Sequence, residues 1–208
     1  AGPSANLSGK PSPTNASHVI EDLDGKIDMI IDGGETGGGL ESTVLDLSIG
    51  TPTILRPGGI TYEDLKEIIP NVEQDLGTIK MSENIVPKSP GQKYKHYAPK
   101  ADMTVYTGNI DNIVSKIKEQ TKELINKGYK VGIMATEETK NDYPDGFVLV
   151  VGTRAKKETI ATNLFKIIRL FDDNGVDVIL AEGVEYDHIG MAIMNRMMKA
   201  SGGKVINL

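Results

Sequence analysis

Val131-Gly132-Ile133-Met134-Ala135, Phe147-Val148-Leu149-Val150-Val151 and Val176-Asp177-Val178-Ile179-Leu180-Ala181 are short apolar runs in the second half of a 208-residue chain. Strands without polar alternation are covered on both faces, which is the habit of parallel sheets. The intervening sequence supports that reading. Ile160, Leu164, Ile167, Ile168 and Phe171 fall at helical spacing and predict a helix from about Lys156 to Asp173 with one buried face. Before these runs, Met103-Thr104-Val105-Tyr106 precedes a helix expected from about Asp111 to Lys127 and stopped by Gly128, and a last helix is expected from Gly190 to Ala200. Strands alternating with amphipathic helices make residues 101–208 a doubly wound, Rossmann-like parallel-sheet domain. No G-x-G-x-x-G follows the first strand, so dinucleotide binding is not indicated. Met191, Met194, Met197 and Met198 read as packing residues.

Working back toward the start, the periodicity fades. Residues 71–100 hold Pro87, Pro90 and Pro99 and little pattern, so 81–100 is expected to be an interdomain linker. Lys88, Lys93, Lys95, Lys100 and His96 fall there with no acid between Pro87 and Lys100. A solvated linker is one reading of that strip, and a strap over a polyanionic ligand is the other. In an extended chain Tyr94 and His96 share one side, with Lys93, Lys95 and Tyr97 on the opposite side.

Residues 1–80 read as a separate, partial α/β sheet domain. Ile27-Asp28-Met29-Ile30-Ile31-Asp32, ended by Gly33-Gly34, fits a buried strand. Gly37-Gly38-Gly39 allows close approach of backbone to a ligand, or a flexible hairpin loop. Ser42-Thr43-Val44-Leu45-Asp46-Leu47 and Thr53-Ile54-Leu55-Arg56 are expected to pair antiparallel, leaving Ser42 and Arg56 at strand ends. Arg56 suits phosphate oxygens there, or an ion pair to Glu41 or Asp46. Thr61-Tyr62-Glu63-Asp64 caps a further helix that runs to Pro70. Ahead of all this, Gly2-Pro3-Ser4-Ala5-Asn6-Leu7-Ser8-Gly9-Lys10-Pro11-Ser12-Pro13-Thr14 is rich in hydroxyl, amide and backbone donors and leads into a helix capped by Thr14 or Asn15. Phosphate or carboxylate is what such a loop can hold.

Composition narrows the classes. A formal charge of −6 argues against bulk affinity for nucleic acid. No eighteen-residue apolar run and no secretory signal are present, and with no cysteine there is neither disulfide nor thiolate site, so a cytoplasmic location with no membrane contact is expected. His18, His96 and His188 lack metal-ligand spacing, and no G-x-S-x-G elbow occurs, so no protein-built metal site and no catalytic residue is assigned. Chemistry by positioning and charge neutralisation remains.

The order of these residues adds a resemblance. Pro3-Ser4-Ala5-Asn6 through Ser12-Pro13-Thr14, then Gly39-Leu40-Glu41-Ser42-Thr43-Val44-Leu45-Asp46, Leu55-Arg56-Pro57-Gly58-Gly59-Ile60 and Pro90-Gly91-Gln92-Lys93-Tyr94-Lys95-His96-Tyr97-Ala98-Pro99 resemble the YrdC-like domain and linker of threonylcarbamoyl-AMP synthases. Ala181-Glu182-Gly183 and Gly190-Met191-Ala192-Ile193-Met194-Asn195-Arg196 resemble the C-terminal domain of the two-domain members. The pattern departs at Gln92 and at Asp187-His188-Ile189. The resemblance implies L-threonine, bicarbonate and ATP as substrates, with Mg²⁺ carried by ATP, and a product that feeds a downstream tRNA-modifying transferase complex at adenosine 37. It implies that Ser4, Asn6 and Ser12 contact the nucleotide, Arg56 its phosphates and Ser42 the threonine, while Tyr94 and His96 close over ATP. It also places a further N-terminal half of the YrdC-like domain ahead of Ser4, so the chain is expected to be truncated and inactive by itself. A non-catalytic module binding double-stranded RNA or the ribosome is the alternative, disfavoured by the acidic charge. A carbamoyl-transfer maturation protein is a third reading, disfavoured by the linker and the C-terminal domain.

Overall fold

The computed structural model describes residues 4–48, 50–75 and 96–208. In chain order the elements are α1 (Ala16–Leu23), β1 (Val44–Asp46), β2 (Thr53–Arg56), α2 (Tyr62–Ile68), β3 (Glu73–Gln74), β4 (Asp102–Thr107), α3 (Ile110–Asn126), β5 (Val131–Thr136), a 3₁₀ turn (Lys140–Asp142), β6 (Phe147–Gly152), α4 (Lys157–Asp173), β7 (Val178–Glu182), α5 (Ile189–Ala200) and β8 (Val205–Asn207). The fold is α/β. Five strands form a parallel sheet in the order β6-β5-β7-β4-β8, and three form a mixed sheet in the order β1-β2-β3.

The apolar runs of the second half become strands because both faces of their sheet are covered. Tyr106, Ile133 and Leu180 pack with Ile113 and Ile117 of α3 on one side. Their chain neighbours Val105, Met134, Ile179 and Ala181 turn to the other side, against Leu164, Phe165 and Ile168 of α4 and Ile193, Met194 and Met197 of α5. That alternation along each strand is the period of two expected of a pleat. Asn109 caps α3, its side chain accepting from the Asp111 amide at 2.9 Å, and Gly128 follows that helix at φ +87°. Strand β8 follows Gly202-Gly203 and is only three residues long, too short for its pattern to announce it.

The first part of the chain departs more from expectation. β1 and β2 pair antiparallel as read, with Leu45 opposite Ile54, and Thr61 and Asp64 form a reciprocal capping box at α2. β3 adds a parallel neighbour at Thr53↔Glu73. Residues 27–32, however, form no strand, and Met29 and Ile31 are 75% and 86% exposed. A strand needs a neighbour to accept its backbone hydrogen bonds, and among the described residues none is offered to this one. Within the glycine run, Gly39 serves packing. Gly39 sits at φ +66° where a Cβ would stand 2.3 Å from the Ala161 carbonyl oxygen of α4, so only glycine lets the two backbones meet.

Two buried arginines join this part to the α4/α5 layer. Arg169 of α4, 3% exposed, donates to the Pro11 carbonyl at 2.6 Å and to Asp22 Oδ2 at 2.9 Å. Arg196 of α5 reaches Glu41 and Pro57. The boundary expected near residues 80–81, and most of the expected linker with Lys88, Lys93, Tyr94 and Lys95, lie outside the described residues.

Candidate functional site

The donor loop is held from beneath by α1. Asn15 caps that helix, accepting from the His18 amide at 3.2 Å, and the helix carries Asp22, fully buried. Asp22 accepts from Lys10 Nζ at 2.6 Å, from Arg169 and from the Leu7 amide at 3.3 Å, so both ends of the turn 7–10 converge on one carboxylate. Burial works against that carboxylate's charge, but the hydrogen bonds and charges of Arg169 and Lys10 prevail and hold it at about 2. Within the loop, Asn6 Nδ2 donates to the Leu7 carbonyl at 2.9 Å, while its Oδ1 is buried without a hydrogen-bond partner among the described residues. Ser4 is exposed and lines a cleft of 440 Å³ whose walls include Asn15, Val19, Met29 and Thr36.

The other end of the loop enters a buried ionic cluster. Ser12 Oγ donates to Glu41 Oε1 at 2.5 Å, and the second oxygen of Glu41 accepts from Arg196 Nε at 2.7 Å. Desolvation disfavours the carboxylate, yet the Arg196 charge and the Ser12 hydroxyl keep Glu41 below the usual range. Next along the chain, Ser42 is exposed, and its carbonyl accepts from Nε and one terminal nitrogen of Arg56 at 3.1 and 3.0 Å, with the Ser42 hydroxyl 3.5 Å from that same nitrogen. The expected threonine and phosphate residues thus lie side by side across the ends of β1 and β2. Glu41, one of the two acids weighed as a partner for Arg56, is occupied by Arg196. Gly58 permits this arrangement, because a Cβ there would lie 2.3 Å from the Thr43 amide nitrogen.

The linker's end closes the cluster. The Ala98 amide donates to the Gly9 carbonyl of the donor loop at 3.1 Å. His96 is half-buried, its ring 4.3 Å from that of Tyr97. Burial pushes the His96 imidazole down, and the Lys199, Arg196 and Arg56 charges add to this against the pull of Glu41. Tyr97 turns inward at φ +67°, is buried, and packs on Phe165 at 5.1 Å, so the even alternation expected of an extended strap stops here. Burial, together with the nearby Glu41 charge, raises the Tyr97 phenol to about 12. Lys199 of α5 is also buried, and desolvation with the nearby Arg196 and Arg56 charges brings it down to about 8.

Ser12, Ser42, Arg56 and His96 are therefore brought to one locus, while Ser4 and Asn6 occupy the opposite end of the donor loop. Tyr94 lies outside the described residues. Sequence reasoning weighed Glu41 only as an ion-pair partner for Arg56 and Tyr97 only as part of the strap, and gave no site role to Arg196 or Lys199. The signal available was two cations, three residues apart, inside a methionine-rich helix otherwise read as core.

A second polar cluster occupies the carboxyl edge of the parallel sheet. Glu182, fully buried at the end of β7, accepts from the Thr136 amide and hydroxyl at 3.1 and 2.8 Å, from Tyr143 at 2.5 Å and from Arg154 at 3.4 Å. A cleft of 530 Å³ opens beside it, lined by Arg154, Lys157, Asp64 and Asp187 among others. Arg154 pairs with Glu185, and Lys157 with Glu185 and Asp187, so the cations facing this cleft are already neutralised. The Glu41–Arg196 locus gathers Arg56, Lys199 and Arg196 beside the Glu41 carboxylate.

A family model described as threonylcarbamoyl-AMP synthase, C-terminal domain, matches residues 60–202. The chain belongs to the threonylcarbamoyl-AMP synthase C-terminal domain family. A model described as telomere recombination matches residues 1–58. The threonylcarbamoyl-AMP synthase of Bacillus subtilis (strain 168) is 48% identical over 206 residues, covering 99% of this chain and 58% of that protein. That of Pyrococcus abyssi is 46% identical over 208 residues, covering 100% and 59%. The crystal structure of P. abyssi Sua5 complexed with L-threonine superposes with a TM-score of 0.90 at 46% identity, over 99% of this chain and 58% of that one. The chain thus spans somewhat under three fifths of the length of these members of the synthase family.

Proposed function

We propose that the protein carrying these residues is an L-threonylcarbamoyladenylate synthase. L-Threonine and bicarbonate condense to a carbamate with loss of water; a carbamate oxygen attacks the α-phosphorus of ATP, and the bond to the leaving pyrophosphate breaks. The threonylcarbamoyl-AMP so formed supplies a tRNA-modifying transferase complex, and the reaction is cytoplasmic. Among the described residues no helix is long and apolar enough to cross a membrane. The observation that carries the reading is the side-by-side placement of Ser42 and Arg56 beside Ser12 and His96, in a chain whose relatives bear that name.

In this reading Ser42 orients threonine, and Arg56, held against the Ser42 carbonyl, meets phosphate with its planar guanidinium. Ser12, Asn6 and Ser4 line the nucleotide, and the unpartnered Oδ1 of Asn6 offers an acceptor to an amino or hydroxyl group. Tyr94 and His96 fold over ATP from the linker. No group of three or more His, Asp or Glu is placed to hold a metal among the described residues, and Mg²⁺ enters as the ion that accompanies ATP. The protein's work is positioning and neutralising charge.

The test is pyrophosphate release by the intact protein with each substrate omitted in turn. Release that requires L-threonine, bicarbonate, ATP and Mg²⁺ together is expected; release indifferent to threonine, or RNA binding with no turnover, sinks the reading. Arg56→Ala is expected to weaken ATP binding by about 1.5 kcal/mol or more, tenfold or greater, with little change in melting temperature. Calorimetric titration of ATP into both proteins decides this.

A further inference from the structure

We propose that Arg196 is the positioning residue through which α5 of the C-terminal half sets the geometry of the nucleotide and threonine site; the inference rests on the synthase reading above. The segments carrying the site candidates come from distant stretches of chain, and each meets Arg196 or its carboxylate partner. Arg196 Nε holds Glu41, the residue before Ser42, at 2.7 Å. Through the other oxygen of Glu41 it holds Ser12 at 2.5 Å. One terminal nitrogen donates to the carbonyl of Pro57, the residue after Arg56, at 3.0 Å. The guanidinium carbon stands 5.6 Å from the ring centre of Tyr97, the residue after His96. The remaining terminal nitrogen donates to Asn195 Oδ1 at 2.9 Å, which fixes the orientation of the fork on its own helix.

Arg196 thus stands one residue away from three of the site candidates and one carboxylate away from the fourth. Arg56 completes a closed path by donating back to the Ser42 carbonyl at 3.0 Å. The path runs from Arg196 through Glu41 and Ser42 to Arg56 and Pro57, and returns to Arg196. It sets the spacing between the serine assigned to threonine and the arginine assigned to phosphate. A rigid planar fork can satisfy a carboxylate, a carbonyl and an amide oxygen at once, whereas an ammonium at the end of a flexible stem cannot hold the same three directions. Arg196 is fully buried, so water does not take over a contact that is lost. A misplacement of about 1 Å between reacting groups can cost on the order of a hundredfold in rate.

The experiment compares Arg196→Met and Arg196→Lys with the parent, in the intact protein, after circular dichroism and a cooperative melt show that each is folded. KM and kcat are measured for ATP and L-threonine, and both ligands are titrated calorimetrically so that affinity is read without turnover. Arg196→Met is expected to raise both KM values and both dissociation constants roughly tenfold or more, with Arg196→Lys in between because it retains the charge facing Glu41. A merely structural role would shrink the active fraction, lowering apparent kcat at unchanged KM, and that result overturns the proposal, as do unchanged affinities in a folded variant. If Arg196→Met does not fold, Glu41→Gln keeps shape and acceptor while removing the charge, and a several-fold loss of both affinities is expected; no loss overturns the proposal equally. A parent that binds both ligands but releases no pyrophosphate refutes the synthase reading while the affinity comparison still judges Arg196, and a parent that binds neither refutes both.

Discussion

The two parts of this molecule are held by different physics. In the second, five parallel strands are covered on both faces, and Ile133, Met134, Leu164, Phe165 and Ile168 are completely buried. In the first, Ile20, Ile27, Met29, Ile31 and Leu47 stay exposed, and the connections to the rest are largely ionic: Arg169 with Asp22, Arg196 with Glu41. Apolar burial is non-directional and forgiving of small shifts, whereas a buried ion pair has one good geometry and a large desolvation cost on either side of it. The site candidates lie where the second kind of bonding operates, which explains how residues remote in sequence acquire one fixed arrangement.

The largest effect should come from the apolar half. Phe165→Ala removes a ring that packs on Tyr97 and sits at the centre of the α4/α5 layer, and about 3 to 5 kcal/mol of stability should be lost. Urea denaturation should show one earlier transition in which both parts unfold, since the first part loses its platform. Unfolding confined to residues 4–75 would contradict the picture of the second part as the foundation.

The ionic seam comes next. Asp22→Ala leaves Arg169 and Lys10 facing each other with only Glu21 between them, and truncating one partner of a buried pair costs about 3 kcal/mol. Hydrogen exchange should quicken in residues 4–24 while β4, β5 and β7 keep their protection. Acid should reach the same end by titration, with a contribution of roughly 2 kcal/mol. The Asp22 carboxyl is held at about 2, below the ordinary aspartate value of 3.8. A depressed carboxylate stabilises the folded form above the unfolded pKa and loses that contribution as pH falls through the folded one. The donor loop should therefore release between about pH 4 and pH 2, ahead of the parallel sheet. A single transition at every pH would dissolve the distinction between the two parts.

How much could be read in advance follows the same division. The parallel sheet was legible because each strand and helix carries its own period: Val131–Ala135 and Ile160 to Phe171 announce themselves whatever they pack against. Ser12, Ser42, Arg56 and His96 were legible as candidates through the order of short motifs, not through any local period. Glu41 and Arg196 were not legible as a pair, because nothing local joins residues 155 positions apart; the cations inside the methionine-rich helix were the one trace. Ile27–Asp32 misled for the converse reason. Its composition suits a strand, but pairing depends on a neighbour that composition does not supply.

That segment carries the smallest expected effect and the sharpest test of the comparison. Ile31 is 86% exposed and Met29 75%, so replacing either by serine in these 208 residues uncovers nothing, and stability should move by no more than about 0.5 kcal/mol. Relatives of this chain are longer, with 58% of one and 59% of another spanned by it, and a run of three isoleucines and a methionine within five residues is what a covered strand needs. If a chain of the relatives' length supplies a neighbouring strand, Ile31→Ser should there cost roughly 1.5 to 3 kcal/mol, the value of burying one such side chain. Denaturant midpoints for the same substitution in the two lengths decide it. A small cost in both would mean that the apolar run is a surface feature and adds nothing to the buried Ile54, Leu55 and Val72 of the first part; a cost that appears only in the longer protein would show that this apolar core is completed elsewhere, leaving the arginine seam as a device for registering two separately folded sheets.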